Sequence, residues 1–196
     1  MEQRDRPMRA DARRNRAKIL AAAEAVFTAK GPAASTEEIA ERAGVAIGTV
    51  FRHFPVKEAL VQAVVAERLR RLAEAGRAAA GEPDPGAAFY AFIAHCVGEA
   101  ATKHSFADAL PTAGMDPSAV HDAVLGGVAE LDEAVGALLA RAQRAGAVRA
   151  DLTVPEVAAV VTGAARAAEF CGPDGRLRAR VLGVIFDGLR PLASAP

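Results

Sequence analysis

Cysteine is scarce here: Cys96 and Cys171 are the only two in 196 residues. Two thiols so far apart make no disulfide framework, so a reducing compartment is expected. Also missing is any apolar run near the roughly 18 residues of a membrane span, and the basic N-terminus lacks the apolar segment of a secretory signal. These absences point to a cytoplasmic protein with no membrane partner. The chain carries no P-loop, no G-x-S-x-G elbow and no H-E-x-x-H pair, and its glycines fall where helices should end rather than in a phosphate cradle. His95 and Cys96 are neighbours and would face different ways on a helix, so they form no metal pair. His104 and His121 stand alone. No catalytic residue, cofactor or metal site is assigned.

Net charge is missing as well, with 24 Lys+Arg against 24 Asp+Glu, which taken alone argues against a polyanionic partner. The distribution reverses that conclusion. Residues 1–57 hold 11 basic against 7 acidic residues, net +4, and residues 58–196 hold 13 against 17, net −4. A basic head on an acidic body is the footprint of a protein whose N-terminal part meets phosphates. A little over half the residues are apolar, at 52%, which is ample for a real core.

The stretch from Ser35 to Lys57, S-T-E-E-I-A-E-R-A-G-V-A-I-G-T-V-F-R-H-F-P-V-K, organises the rest. Ser35 with Glu38 three residues on reads as a capping box, in which each side chain satisfies the other's backbone N–H. Ile39, Ala40 and Ala43 form the inward face of a first helix, and Gly44 stands where a left-handed residue ends it. A second short helix follows, with Val50 and Phe54 four apart on one face and Thr49, Arg52 and His53 facing the other way, before Pro55 stops it. The pattern is a helix-turn-helix. Its outward groups are of the kind that donate to phosphate oxygens and base edges. Gly48 inside this helix costs about 1 kcal/mol relative to alanine, which implies a close approach to the backbone by something else. Lys57, a cation at the start of the next helix, opposes the macrodipole unless an anion lies between them. Apolar Ala46 and Ile47 suit contact with thymine methyl groups.

The run T-V-F-R-H-F-P-V-K-E-A-L resembles the T-[LV]-[YF]-x-[HY]-F-x-x-K-E-x-L signature of the TetR family of transcriptional regulators, and the resemblance covers about Arg13 to Leu60. It implies an all-α protein of about nine helices. Residues 1–56 would form a three-helix DNA-binding domain with residues 1–10 a disordered arm, and residues 57–196 a helical regulatory and dimerisation domain. The DNA-binding residues so implied are Arg16, Thr36, Ala46, Ile47, Gly48, Thr49, Phe51, Arg52, His53 and Lys57. Two departures stand out: Phe51 replaces the usual tyrosine, removing a hydroxyl contact to phosphate, and Val56 occupies a capping site often filled by Ser or Thr.

Ahead of the motif, Ile19, Ala23, Val26 and Phe27 recur at helical spacing, closed by Gly31-Pro32, with Arg13, Arg14, Arg16 and Lys18 on the outer face. Behind it a long helix from Lys57 to about Ala80 links the two parts and is broken by G-E-P-D-P-G at 81–86. Residues 86–104 read as a helix, then a short segment from Phe106 to Leu110, then a helix capped by Asp116 and stopped at Gly146. Thr153 and Glu156 make a second capping box before an apolar helix, and the last helix carries Leu177, Val181, Val184, Ile185 and Leu189 on one stripe.

The last two helices suit a homodimer, as the resemblance also implies, and a two-fold protein would read a near-palindromic operator on double-stranded DNA in successive major grooves. The leading expectation is a repressor released by a small apolar or amphipathic effector. Candidate walls for its cavity are Phe89, Phe92, Ile93, Cys96, Phe106, Met115, Val124 and Phe170, with His121 and Arg166 as polar anchors. The alternative keeps the DNA-binding head and makes the body a protein-interaction or structural module. A third class, an enzyme, finds no support in the motifs.

Overall fold

The computed structural model describes the backbone of residues 5–108, 118–172 and 174–191, and in those ranges the side chains from Ala10 onward except 101–108 and 118–124. Among the described residues there are eight helices and no strand: α1 Asp5–Lys30, α2 Thr36–Ala43, α3 Ile47–His53, α4 Lys57–Ala79, α5 Pro85–Asp108, α6 Ser118–Arg144, α7 Val154–Phe170 and α8 Gly175–Asp187. The expected Asp116 cap and the segment beyond Asp108 lie outside the described residues. The arm expected over residues 1–10 is helical from Asp5 onward. Pro7 is no obstacle there, since the N–H it lacks would have no partner in a first turn.

The chain divides into two compact units, the first reaching to Arg68 and taking in the described residues between Ser105 and Gly126, the second holding Leu69 to His104 and everything from Gly127 on. The boundary of compactness therefore falls inside α4, three turns beyond the Lys57 start expected from the motif.

In the first unit α1 turns Ile19, Leu20, Ala22, Ala23, Val26 and Phe27 inward at the spacing of one helical face, and all are buried. Gly31, at φ 76°, ends the helix and donates to the Phe27 carbonyl at 2.8 Å. Ile39 and Ala40 of α2, Val50 of α3, Phe54, and Leu60, Val61 and Val64 of α4 complete the core. These side chains remove several large apolar groups from water, each worth about 1.5–3 kcal/mol.

The second unit packs Phe89, Phe92, Ile93 and Cys96 of α5 against Val135, Leu138, Leu139 and Ala142 of α6, with Val148, Val157 and Leu189 closing the cluster. α4 comes so close that a Cβ on Gly76 would lie 3.0 Å from the Ala134 methyl and 3.0 Å from the Phe92 ring. α5 starts one residue earlier than the breaker reading allowed. Asp84 accepts from the Ala87 N–H at 2.9 Å and Pro85 fills the first helical position. The end of α6 is tied down twice. Arg141 donates to the Ala80 and Glu82 carbonyls beyond α4, and Tyr90 donates to the Ala147 carbonyl at 3.1 Å.

α7 opens as expected, with the Glu156 carboxylate accepting from both the Thr153 N–H and the Thr153 hydroxyl at 2.7 Å. These bonds hold the Glu156 carboxyl below its ordinary range. α8 is capped by Asp174, yet none of its residues is buried.

Candidate nucleic-acid interface

The turn between α2 and α3 follows from local chemistry. Ser35 Oγ accepts from the Glu38 N–H at 3.2 Å, half of the expected capping box. The other half is replaced by a tertiary contact, because the Glu38 carboxylate pairs with Lys30 of α1 at 2.6 Å. Gly44 adopts φ 66°, ψ 38°, and donates to the Glu41 carbonyl at 3.0 Å, while Val45 donates to the Ala40 carbonyl at 3.1 Å. This six-to-one and five-to-two pair closes the helix and reverses the chain, and it requires a residue that tolerates the left-handed region.

α3 then starts at Ala46 with no side-chain cap and closes at Phe54, whose N–H donates to the Val50 carbonyl at 2.8 Å. Val50 and Phe54 face the core, so the helical period sets Gly48 and Arg52 farthest outward, with Thr49 and Phe51 beside them. Arg52, Gly48 and Ala46 are exposed, Ile47 lies at the edge, and Phe51 keeps 45% of its surface open to solvent. Thr49 and His53 are half-buried, so the outward edge is narrower than the spacing suggested. A Cβ placed on Gly48 would meet no atom within 4 Å. Nothing among the described residues asks for glycine there.

Thr36 begins α2 and is half-buried. Arg16 is exposed, with its guanidinium 5.4 Å from the centre of the Phe54 ring, so α1 is pinned to the end of α3 by a cation–π contact that spacing alone did not show. Lys57 is half-buried at the start of α4. Burial lowers the pH at which it loses its proton below the ordinary 10.5, and Glu58 and Glu37 pull the other way without cancelling it. A partly desolvated cation at the positive end of a helix would be stabilised by a further anion beside it.

The effector candidates scatter. Phe89, Phe92, Ile93 and Cys96 are brought together, but as members of the second unit's packed core. Burial, with Glu99 adding to it, pushes the Cys96 thiol up to about 12, so it is a poor nucleophile. Phe170 departs from the expectation: it is 93% exposed and lines no interior wall of its own unit. Arg166 is also exposed and reaches Glu169 at 3.3 Å. The side chains of Phe106, Met115, His121 and Val124 lie outside the described residues. Among the described residues no group of three or more His, Cys, Asp or Glu could hold a metal ion, and no helix is long and apolar enough to cross a membrane.

Two family descriptions match this chain. Residues 19–64 match "Bacterial regulatory proteins, tetR family", and residues 84–191, more than half of the chain, match "Transcriptional regulator SbtR-like, C-terminal domain". The chain belongs to the TetR family. Among solved structures, the TetR regulatory protein from Mycobacterium vanbaalenii is 41% identical, with a TM-score of 0.74 over 94% of this chain and 99% of that one. A TetR transcriptional regulator from Streptomyces coelicolor is 35% identical, with a TM-score of 0.72 over 91% and 99%. A curated relative, an uncharacterized HTH-type transcriptional regulator named TtgW from Pseudomonas putida, is 45% identical over 60 residues. That match spans 30% of this chain and 45% of the relative, less than half its length.

Membership in the TetR family makes this protein a transcriptional regulator with a DNA-binding helix-turn-helix. What the sequence missed in the site is tertiary: the Lys30–Glu38 pair, the Arg16–Phe54 stack, and an Arg68–Glu24 pair at 3.5 Å that joins α4 to α1. The one available signal was the i, i+3, i+4 register of α1, which says that a basic face exists but not what lies opposite it.

Proposed function

We propose that this TetR-family chain is a homodimeric repressor that acts in the cytoplasm, reads a near-palindromic operator and is released by a small apolar or amphipathic effector. The observation that carries the DNA-reading part is the outward edge of α3, where Arg52 is exposed and Gly48 leaves its backbone open. Arg52 would reach a base edge, Thr49 and Lys57 phosphates, and Phe51 the sugar backbone by ring packing, with Thr36, Ala46, Ile47, His53 and Arg16 around them. Functionally, residues 1–56 would read DNA and residues 57–196 would regulate and dimerise.

The dimer reading rests on α7 and α8. Phe170 is 93% and Val184 74% exposed, and Leu177 is also open. Large apolar groups clustered on the last two helices of a water-facing unit mark an interaction surface. A second copy packed through the same two helices would cover both sets and create the two-fold arrangement that a palindrome requires.

The effector reading rests on composition: no polar or charged residue is buried among the described residues, so any cavity opened in the second unit would have apolar walls. One observation favours the alternative, a body without a small ligand. The Phe92 ring already fills the space over Gly76, and its three neighbours from α5 sit in the same packed cluster.

Enrichment of genomic DNA fragments by the purified protein tests the main reading, with a near-palindrome expected; failure to enrich any motif would reject it. A panel of apolar compounds then separates the two bodies. An effector raises the melting temperature and lowers operator affinity together, and the structural alternative predicts neither change with any compound.

A further inference from the structure

The basic head is not the helix-turn-helix. Of the net +4 carried by residues 1–57, residues 1–18 hold 7 Lys+Arg against 3 Asp+Glu, net +4, while residues 19–57 hold four of each. The positive charge therefore lies wholly in the part of α1 that precedes Ile19, the first buried residue among the described side chains, and in the residues before that helix. Asp11 to Arg14 and Arg16 to Lys18 are all exposed. A helix that is polar on every side contributes nothing to its own core and calls for another role.

Its arginines are ordered. Arg6, Arg9, Arg13 and Arg16 follow one another at spacings of three, four and three, which keeps all four positions on one face of α1. Of the two acidic residues of this stretch, Asp11 falls outside that row and pairs with Arg14, which also lies off it, while Asp5 stands four residues before Arg9 at the far end of the row. The lower end of the row is fixed in space, because the Arg16 guanidinium rests over the ring of Phe54, the residue that closes α3. The row thus starts beside the proposed DNA-reading edge and runs away from it along the free part of α1. From Asp5 to Lys18 that part measures about 20 Å at 1.5 Å per residue, close to six base pairs of duplex at roughly 3.4 Å each.

We propose that this arginine row is a second DNA contact surface, which grips the phosphate backbone flanking each half-site and supplies most of the electrostatic binding. It rests on the DNA-binding reading above and extends it, since a neutral helix-turn-helix core gives base selection while the row gives non-specific affinity and a longer footprint. The row carries charge in a fixed order on a helix, which suits a regular polyanion better than a compact acidic ligand.

The test is the triple variant Arg6→Gln, Arg9→Gln, Arg13→Gln, which leaves Arg16 and every buried residue in place. It is compared with the native chain on a selected operator cut to its minimal palindrome, and on the same operator with about eight flanking base pairs on each side. The native protein should bind the long duplex at least tenfold more tightly than the short one. The variant should bind both alike, and its log affinity against log salt should be shallower by about 5 per dimer, at about 0.9 per phosphate lost. A variant that matches the native chain on both duplexes overturns the inference. So does an equal loss on the short and long duplexes, or a variant defect confined to vesicles of phosphatidylserine, which would assign the row to a membrane surface. If the native protein selects no duplex at all, the DNA-binding reading itself falls, a result that the variant cannot mimic.

Discussion

The two units differ in what they leave uncovered. The first buries Ile19, Phe27, Ile39, Val50, Phe54 and Leu60 and turns outward a glycine, an arginine and the basic start of α1, and of its exposed large apolar side chains, Ile47, Phe51, Val56 and Leu125, none is more than 55% open. The second buries a comparable apolar set and yet leaves Phe170 and Val184 far more open, at 93% and 74%, with Leu177 also exposed. A polar edge is at ease in water and can wait for a partner that comes and goes. An exposed apolar face is costly at all times, at about 25 cal/mol per Å², and so calls for a permanent partner. On the proposed reading, the chain separates transient recognition from lasting assembly.

Substitutions can break this contrast at either end. The largest effect is expected at Phe54→Ala, which removes a buried ring and its stack with Arg16. Chemical denaturation should show a loss of about 3–5 kcal/mol with operator binding abolished, while sedimentation still reports the oligomer set by the second unit. Loss of assembly along with DNA binding would show that the two functions are not separable. Next, Phe170→Glu with Val184→Glu should weaken self-association by at least about 2 kcal/mol, roughly thirtyfold, read by sedimentation velocity across a dilution series. Unchanged assembly would remove the dimer from α7 and α8.

Arg52→Ala sharpens the first half of the contrast. Its cost should be about 1–3 kcal/mol and confined to one base position in each half-site, as measured by competition with singly substituted operators. A uniform loss at all positions would make Arg52 a phosphate contact. Lys57 should show the smallest effect. Lys57→Ala is expected to flatten the salt dependence by about one unit per protomer with base preference kept. Because burial lowers the proton affinity of Lys57 in the free protein and a phosphate would raise it, operator affinity should be level at neutral pH. It should decline as pH climbs through the window between that lowered value and the ordinary 10.5. In Lys57→Arg, which keeps its charge, the decline should vanish.

Much of the DNA-binding unit was legible because its signals are local. Ser35, Gly44 and the spacing of Val50 and Phe54 each act within a few residues, and the structure places all of them as their chemistry requires. What escaped depends on distant partners. Glu38 had a choice between its own helix cap and a lysine on α1, and only the fold brings Lys30 to 2.6 Å. Asp84-Pro85 was read as the end of a breaker although the same pair, one capping and one filling the first turn, is equally a helix start. The first turns of α1 have no apolar period, so nothing in the pattern marked them as helical. Phe170 illustrates the limit most clearly: in a helix apolar on nearly every side, the sequence does not say which face its own chain covers and which it leaves for another.

The central claim, that α3 turns its Gly48–Arg52 edge to the duplex, is tested most directly by Gly48→Gln. A side chain there meets nothing in the free chain, so thermal unfolding should show no loss of stability and a gain of up to roughly 1 kcal/mol. Operator affinity, measured in parallel, should nevertheless fall at least tenfold because the backbone can no longer approach the groove. A variant that is as stable as the native chain or more so, and that binds the operator equally well, would place the duplex elsewhere and contradict the account.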